Sequence, residues 1–88
     1  MNTPEQTLLY GTSWCEKTSA LREFLDLQNV SYRYHDVDED AEAEEKIKKI
    51  GEGKVQIPVV FIKNSILKNP SIAFLDQKLT EHGLLDPL

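Results

Sequence analysis

Hydrophobic and polar positions along this chain predict alternating strands and helices. Residues 7–10 form an apolar run typical of a short buried strand, which Gly11 ends. From Cys15 or Glu16 to about Gln28, apolar residues recur at helical spacing and charged residues lie between them. This segment is predicted to be an amphipathic helix packed on a sheet. Its apolar positions are Ala20, Leu21, Phe24, Leu25 and Leu27.

A second strand and a second helix follow Asn29, which ends the first helix. Residues 30–37 are rich in β-branched and aromatic side chains, which favour a strand. A helix between two strands implies a parallel pair joined by a right-handed crossover. Residues 38–40 supply an N-cap and an acidic first turn to a helix that extends to about Ile50, with Gly51 as its C-cap. Its predicted buried stripe is Ala43, Ile47 and Ile50.

The last third of the chain predicts an antiparallel pair and a final helix. Residues 57–62 form a strand with a proline at its start, and Lys63-Asn64 makes a tight turn into a partner strand over residues 65–68. The last helix opens at residues 69–71, with Pro70 at its first position. Its predicted inward residues are Ile72, Leu75 and Leu79, and its stop signals are His82-Gly83 and Asp86-Pro87.

The order of elements, βαβαββα, predicts an α/β fold with helices on both faces of a four-stranded mixed sheet. A length of 88 residues predicts one domain over residues 1–88. The formal net charge of -5 argues against a nucleic-acid partner, which requires clustered lysine and arginine. The acidic excess lies mostly in residues 36–45, where a solvated helix face explains it without a metal.

Compartment and assembly are also predicted from simple features. No apolar run approaches the roughly 18 residues of a membrane helix, so we expect no membrane partner. Residues 1–6 have no signal-peptide pattern, and the single cysteine cannot form an internal disulfide. We therefore expect a cytoplasmic monomer in a reducing compartment.

The single cysteine, Cys15, is the best candidate for chemistry. Its predicted place at a strand-to-helix junction puts it beside unpaired backbone N–H groups and the positive end of the helix dipole. Both favour the thiolate, which is the nucleophile in disulfide exchange, so we predict a lowered pKa. Free cysteine is also often a small buried hydrophobic residue, and position alone leaves both interpretations open.

The two histidines, His35 and His82, do not support a Cys-His nucleophile or a metal site. His35 lies within a predicted strand and His82 near the end of the chain. One cysteine and two scattered histidines also lack any known ligand spacing. We expect no metal.

Three motifs occur in the order found in glutaredoxin-like proteins. They are Tyr-Gly-Thr-Ser-Trp-Cys at residues 10–15, Ile57-Pro58 before an apolar strand, and Asn-Pro-Ser at residues 69–71. Over nearly its whole length the chain resembles this family of the thioredoxin fold. The mycoredoxin-type branch has similar Thr-Ser-Trp-Cys and Asn-Pro-Ser stretches. The resemblance implies a thioredoxin-like βαβαββα domain with a four-stranded mixed sheet and three helices.

The resemblance assigns substrate-binding roles to residues distant from the cysteine in sequence. In the family, the residue before the proline pairs with substrate through its backbone and the proline is cis, which implies these roles for Ile57 and Pro58. A trans proline at a sheet edge is the alternative. Asn69 and Ser71 would direct free N–H groups toward the γ-glutamyl end of glutathione. Helix capping alone also explains both residues.

Trp14 has two interpretations of its own. Its ring can wall off one side of the thiol while its N–H faces solvent or substrate. It can also be an ordinary core aromatic residue.

The motif around the cysteine departs from the family pattern. Dithiol members carry Cys-x-x-Cys, whereas this chain has Thr18 in place of the second cysteine. The Thr18 hydroxyl can donate a hydrogen bond to the thiolate and lower its pKa, whereas the charge of Glu16 opposes the thiolate. Many members carry a lysine where this chain has Thr12. The nearest substitutes are Lys17 and Lys54, each of which can equally be a solvated surface charge.

The resemblance implies a monothiol thiol-disulfide oxidoreductase that acts on mixed disulfides. Its co-substrate would be glutathione or another low-molecular-weight thiol, and its other partners would be client protein disulfides. One alternative is a carrier that shares an iron-sulfur cluster between two subunits, as another monothiol branch does. That branch usually carries Cys-Gly-Phe-Ser, which is not present here. A redox-inactive binding module with the same fold is the second alternative.

Overall fold

The computed structural model describes residues 7–84 and contains the predicted order of strands and helices. Each element begins and ends within a few residues of its predicted place. The elements are β1 (Thr7–Gly11), α1 (Glu16–Leu27), β2 (Arg33–Asp36), α2 (Ala41–Ile50), β3 (Val59–Ile62), β4 (Ser65–Lys68) and α3 (Ile72–Glu81).

The four strands form one mixed sheet in the order β2-β1-β3-β4. β1 pairs with β2 in parallel and with β3 antiparallel, and β3 pairs with β4 antiparallel. Ile62 lies opposite Ser65, so Lys63 and Asn64 form a two-residue hairpin loop. The predicted mixed sheet and its tight turn are confirmed.

Two apolar clusters cover the two faces of the sheet. Alternate residues of a strand point to opposite faces, and Leu9 and Tyr10 accordingly belong to different clusters. Helices α1 and α3 pack on the Leu9 face, and α2 packs on the Tyr10 face. The buried apolar residues of the helices are Leu21 and Leu25 in α1, Ala43 and Ile47 in α2, and Leu75 and Leu79 in α3.

Strand β2 is shorter than predicted because its first residues close helix α1 instead. Asn29 adopts the left-handed conformation, with φ of 58°, and the Val30 N–H donates to the Leu25 carbonyl at 3.0 Å. This is a Schellman-type C-terminus. Val30 and Val37 are buried although neither lies in the strand. The periodicity therefore located the apolar positions correctly but overextended the strand.

The predicted apolar faces of α1 and α3 need correction at four positions. Ala20 is exposed and Leu27 is 72% exposed, whereas Thr18 is 1% exposed and occupies the buried face of α1. Ile72 is 38% exposed. Ile72 is the first residue of α3. A side chain in a helix leans over the preceding turn, and α3 has no turn before Ile72, so its side chain stays partly in solvent.

Three element boundaries also differ from the predictions. Gly11 is the last residue of β1, β3 begins after Ile57-Pro58, and Pro70 precedes the N-cap residue Ser71. His82 and Gly83 end α3 as predicted, whereas the Asp86-Pro87 stop signal lies outside the described residues. Of the helices within residues 7–84, none has the length and apolar character needed to cross a membrane.

Candidate functional site

Cys15 is the N-cap residue of α1, at the junction with the loop that follows β1. Its backbone is extended, its N–H donates to the Thr12 carbonyl at 3.3 Å, and its carbonyl accepts from the Ser19 N–H at 3.1 Å. The side chain is partly exposed. The backbone therefore presents the thiol at the positive end of the helix, as predicted from the sequence.

The surroundings of Cys15 lower the pKa of its thiol. The largest cause is the Thr18 side chain, which can donate a hydrogen bond to the thiolate, and the backbone N–H groups of Thr18 and Lys17 add to it. Burial and the negative charge of Glu16 oppose the shift without reversing it. The predicted direction is confirmed, and donors that favour the charged form are its physical cause.

Thr18 is placed by close packing against β1. A Cβ atom on Gly11 would collide with the Thr18 side chain, so only glycine leaves space for it there. Within residues 7–84 the buried Thr18 hydroxyl has no hydrogen-bond partner of ordinary geometry. It is therefore available to donate to the stronger acceptor that forms when Cys15 ionises. Sequence reasoning identified Thr18 but missed Gly11, because the space is created by tertiary packing.

Trp14 directly precedes Cys15 and is exposed. The residue is 71% exposed, so Trp14 is not a core aromatic residue. Its Nε1–H donates to Asp38 Oδ2 at 2.7 Å, so the N–H expected to face solvent or substrate already has a partner. Sequence reasoning had placed Asp38 in the capping segment of α2. The N-cap there is Asp40, which accepts from the N–H groups of Glu42 and Ala43.

The Ile57-Pro58 peptide bond is cis, as predicted. The Asn69 N–H donates to the Pro58 carbonyl at 2.7 Å, and Asn69 adopts the left-handed conformation with φ of 51°. Lys17 Nζ donates to the Asn69 carbonyl at 3.4 Å. These bonds bring the first turn of α1, the cis-proline and the loop before α3 together.

Some of the donors predicted to bind an anion at the start of α3 already have partners. The Asn69 N–H is engaged with Pro58, and Ser71 caps α3 by accepting from the Phe74 N–H at 3.1 Å. Lys17 reaches this loop and forms no salt bridge in the described part of the chain. No hydrogen bond within residues 7–84 links the exposed side chain of Lys54 to the loop. Lys17 is therefore the better placed of the two predicted lysine substitutes.

The histidines lie in structural positions. The His35 ring stacks on the Tyr10 ring with 4.7 Å between centroids, and His82 Nε2 shares a hydrogen bond with Ser65 Oγ at 3.2 Å. Between residues 7 and 84, no group of three or more histidine, cysteine, aspartate or glutamate side chains is arranged to hold a metal ion.

Comparisons with known proteins agree with this geometry. The sequence model of the glutaredoxin family matches residues 7–67. Among solved structures, a mutant of the thioredoxin-like protein BC3987 is 26% identical with a TM-score of 0.78, over 86% of this chain and 96% of that one. The glutaredoxin grx-1 from Archaeoglobus fulgidus is 24% identical with a TM-score of 0.67, over 89% and 85%.

A complex of buckwheat glutaredoxin with glutathione is 19% identical with a TM-score of 0.67, over 92% of this chain and 82% of that one. At this identity the likeness concerns the fold alone. No curated protein matches the sequence. The resemblance to the mycoredoxin-type branch stays a prediction. The family match covers well over half of the chain and includes Cys15, the cis-proline and β3, and the chain therefore belongs to the glutaredoxin family.

Proposed function

We propose that this glutaredoxin-family protein is a monothiol oxidoreductase that removes glutathione, or a similar small thiol, from mixed disulfides with proteins. Family membership supports a role in thiol-disulfide exchange. The observation that carries the proposal is the lowered pKa of Cys15 at the start of α1. Because Cys15 is the only cysteine, a route that needs one protein thiol is the simplest one.

The proposed reaction has two exchange steps. The Cys15 thiolate attacks the small-thiol sulfur of the mixed disulfide, the S–S bond breaks, and the client sulfur leaves as a thiolate that takes a proton from water. A second molecule of the small thiol, as its thiolate, then attacks the small-thiol sulfur bound to Cys15. Cys15 is released as a thiolate, and the two small thiols leave as a disulfide. The small thiol supplies both electrons.

Residues around the thiol support binding as well as chemistry. Thr18 would donate its hydroxyl hydrogen to the Cys15 thiolate in the resting state and again when Cys15 leaves in the second step. We propose that the Ile57 backbone pairs with the substrate beside Pro58. A carboxylate of the small thiol would lie between the Lys17 ammonium group and the first turn of α3, which Ser71 opens. Asn69 would hold the Lys17 ammonium group in place through its carbonyl.

The test compares wild type, Cys15→Ser and Thr18→Cys on two substrates, with glutathione as the reductant. One substrate is a glutathionylated peptide and the other is a protein disulfide. We expect Cys15→Ser to abolish turnover of both. Thr18→Cys restores the Cys-x-x-Cys spacing, so it should gain mainly on the protein disulfide, where a second thiol releases the trapped client.

The outcome also separates the alternative functions. If wild type reacts with the peptide no faster than glutathione alone, the protein is not the proposed oxidoreductase. A binding module with an inert thiol would be expected instead. Retained turnover in Cys15→Ser would contradict the assignment of the nucleophile, because no other cysteine exists in the chain.

A further inference from the structure

We infer that Asp38 is a positioning residue that fixes in one orientation the exposed ring of Trp14, the residue before Cys15, for contact with the substrate. The effect of this orientation on turnover rests on the proposed oxidoreductase function. The positioning itself is a property of the folded chain and does not depend on that function.

The need for a positioning residue follows from the exposure of Trp14. Trp14 is 71% exposed, so packing alone does not hold its ring in one orientation. Exposed side chains change rotamer on the picosecond to nanosecond timescale. An indole has one N–H group, so a single strong hydrogen bond can select one ring orientation. The bond to Asp38 Oδ2 is 2.7 Å long and has a charged acceptor, which places it among the stronger hydrogen bonds.

Asp38 is itself held by neighbouring strand residues. Its backbone N–H donates to Asp36 Oδ1 at 2.9 Å, and Asp36 Oδ2 accepts from the Tyr34 hydroxyl at 3.4 Å. The Tyr34 ring lies 4.0 Å from the guanidinium carbon of Arg22, which belongs to α1. A chain of contacts therefore ties the Trp14 ring to β2 and to the same helix that Cys15 opens.

The expected consequence is on substrate binding and not on the thiol. The largest influences on the pKa of Cys15 are Thr18, burial, Lys17 and Glu16, and Asp38 is not one of them. A substrate that contacts a freely rotating ring must order it, which lowers affinity. Loss of the bond should therefore raise KM about two- to tenfold, the range expected for ordering one large side chain. The kcat and the pH dependence of Cys15 alkylation should not change.

The test uses three variants. Asp38→Ala removes the acceptor, Asp38→Asn keeps an acceptor oxygen without the charge, and Glu39→Ala removes a neighbouring exposed carboxylate as the matched control. Trp14 is the only tryptophan, so the decay of fluorescence anisotropy reports its local motion directly. KM and kcat are measured on a glutathionylated peptide.

We expect Asp38→Ala to increase the fast local motion of the indole and to raise KM, whereas Glu39→Ala matches wild type. Asp38→Asn keeps a weaker, neutral acceptor, so it should lie between wild type and Asp38→Ala in both measurements. Unchanged indole motion in Asp38→Ala would overturn the inference, even if the protein has no turnover. An Asp38→Asn variant as impaired as Asp38→Ala would also overturn it, because charge and not the hydrogen bond would then be responsible.

Discussion

Trp14 precedes Cys15 in the chain and Thr18 follows it, and the surroundings of these two residues differ sharply. Thr18 is buried against Gly11, and its side chain is the largest cause of the lowered pKa of Cys15. Trp14 is exposed and held by a single hydrogen bond to Asp38. The buried side lowers the pKa of the thiol, whereas the exposed side has no such effect. This difference supports our proposal that the buried side sets the chemistry of Cys15 and that the exposed side contacts the substrate.

The largest expected effect comes from filling the space between Gly11 and Thr18. In Gly11→Ala the new methyl group would collide with the Thr18 side chain. We expect the free energy of unfolding to fall by about 1–3 kcal/mol, as is typical of overpacking. Denaturant unfolding would measure the change. The double variant Gly11→Ala with Thr18→Ala removes the colliding atoms, so it should recover part of the loss. Purely additive losses would contradict the proposed packing.

A second prediction separates the effect of the Thr18 hydroxyl from the effect of the Thr18 side-chain volume. Thr18→Val keeps the volume and removes a buried hydroxyl that has no ordinary partner within residues 7–84. Stability should change by less than about 1 kcal/mol, because removing an unpaired buried polar group is nearly neutral. The pKa of Cys15 should rise, since its largest lowering cause is lost.

Ser19→Ala is the matched control for this variant, because it removes an exposed hydroxyl from the next residue of the same helix. It should leave both the pKa and the stability as they are in wild type. If Thr18→Val titrates like wild type in an alkylation assay, the helix N-terminus alone lowers the pKa.

The smallest expected effect on stability belongs to the exposed side. Trp14 and Leu27 are exposed to nearly the same extent, 71% and 72%. Trp14→Ala and Leu27→Ala should each change the free energy of unfolding by less than about 0.5 kcal/mol. Only Trp14→Ala should raise KM for a glutathionylated peptide. Equal KM values in the two variants would remove the distinction drawn between the two sides of Cys15.

Local features of the sequence were sufficient for much of this architecture. Helix α1 begins beside Cys15, Asp40 caps α2, and Lys63-Asn64 turns the hairpin, because caps and turns depend on residues only a few positions apart. The cis form of Ile57-Pro58 was expected from family resemblance and not from local chemistry.

Other features depend on tertiary contacts that periodicity does not encode. Trp14 and Asp38 are 24 residues apart and meet only because β2 lies in parallel beside β1. Gly11 and Thr18 come together because α1 folds back on the strand before it. The exposure of Ile72 depends on where α3 begins, and sequence patterns leave helix boundaries uncertain by a few residues.

The central claim is that Cys15 is held ready as a nucleophile by Thr18 and the start of α1. Its most direct test is the rate of Cys15 alkylation by iodoacetamide, followed by stopped flow as a function of pH. The rate falls as pH decreases through the pKa, because the thiol replaces the reactive thiolate. We predict a midpoint below about 8.5, the ordinary value for cysteine. A midpoint at or above that value would contradict the claim.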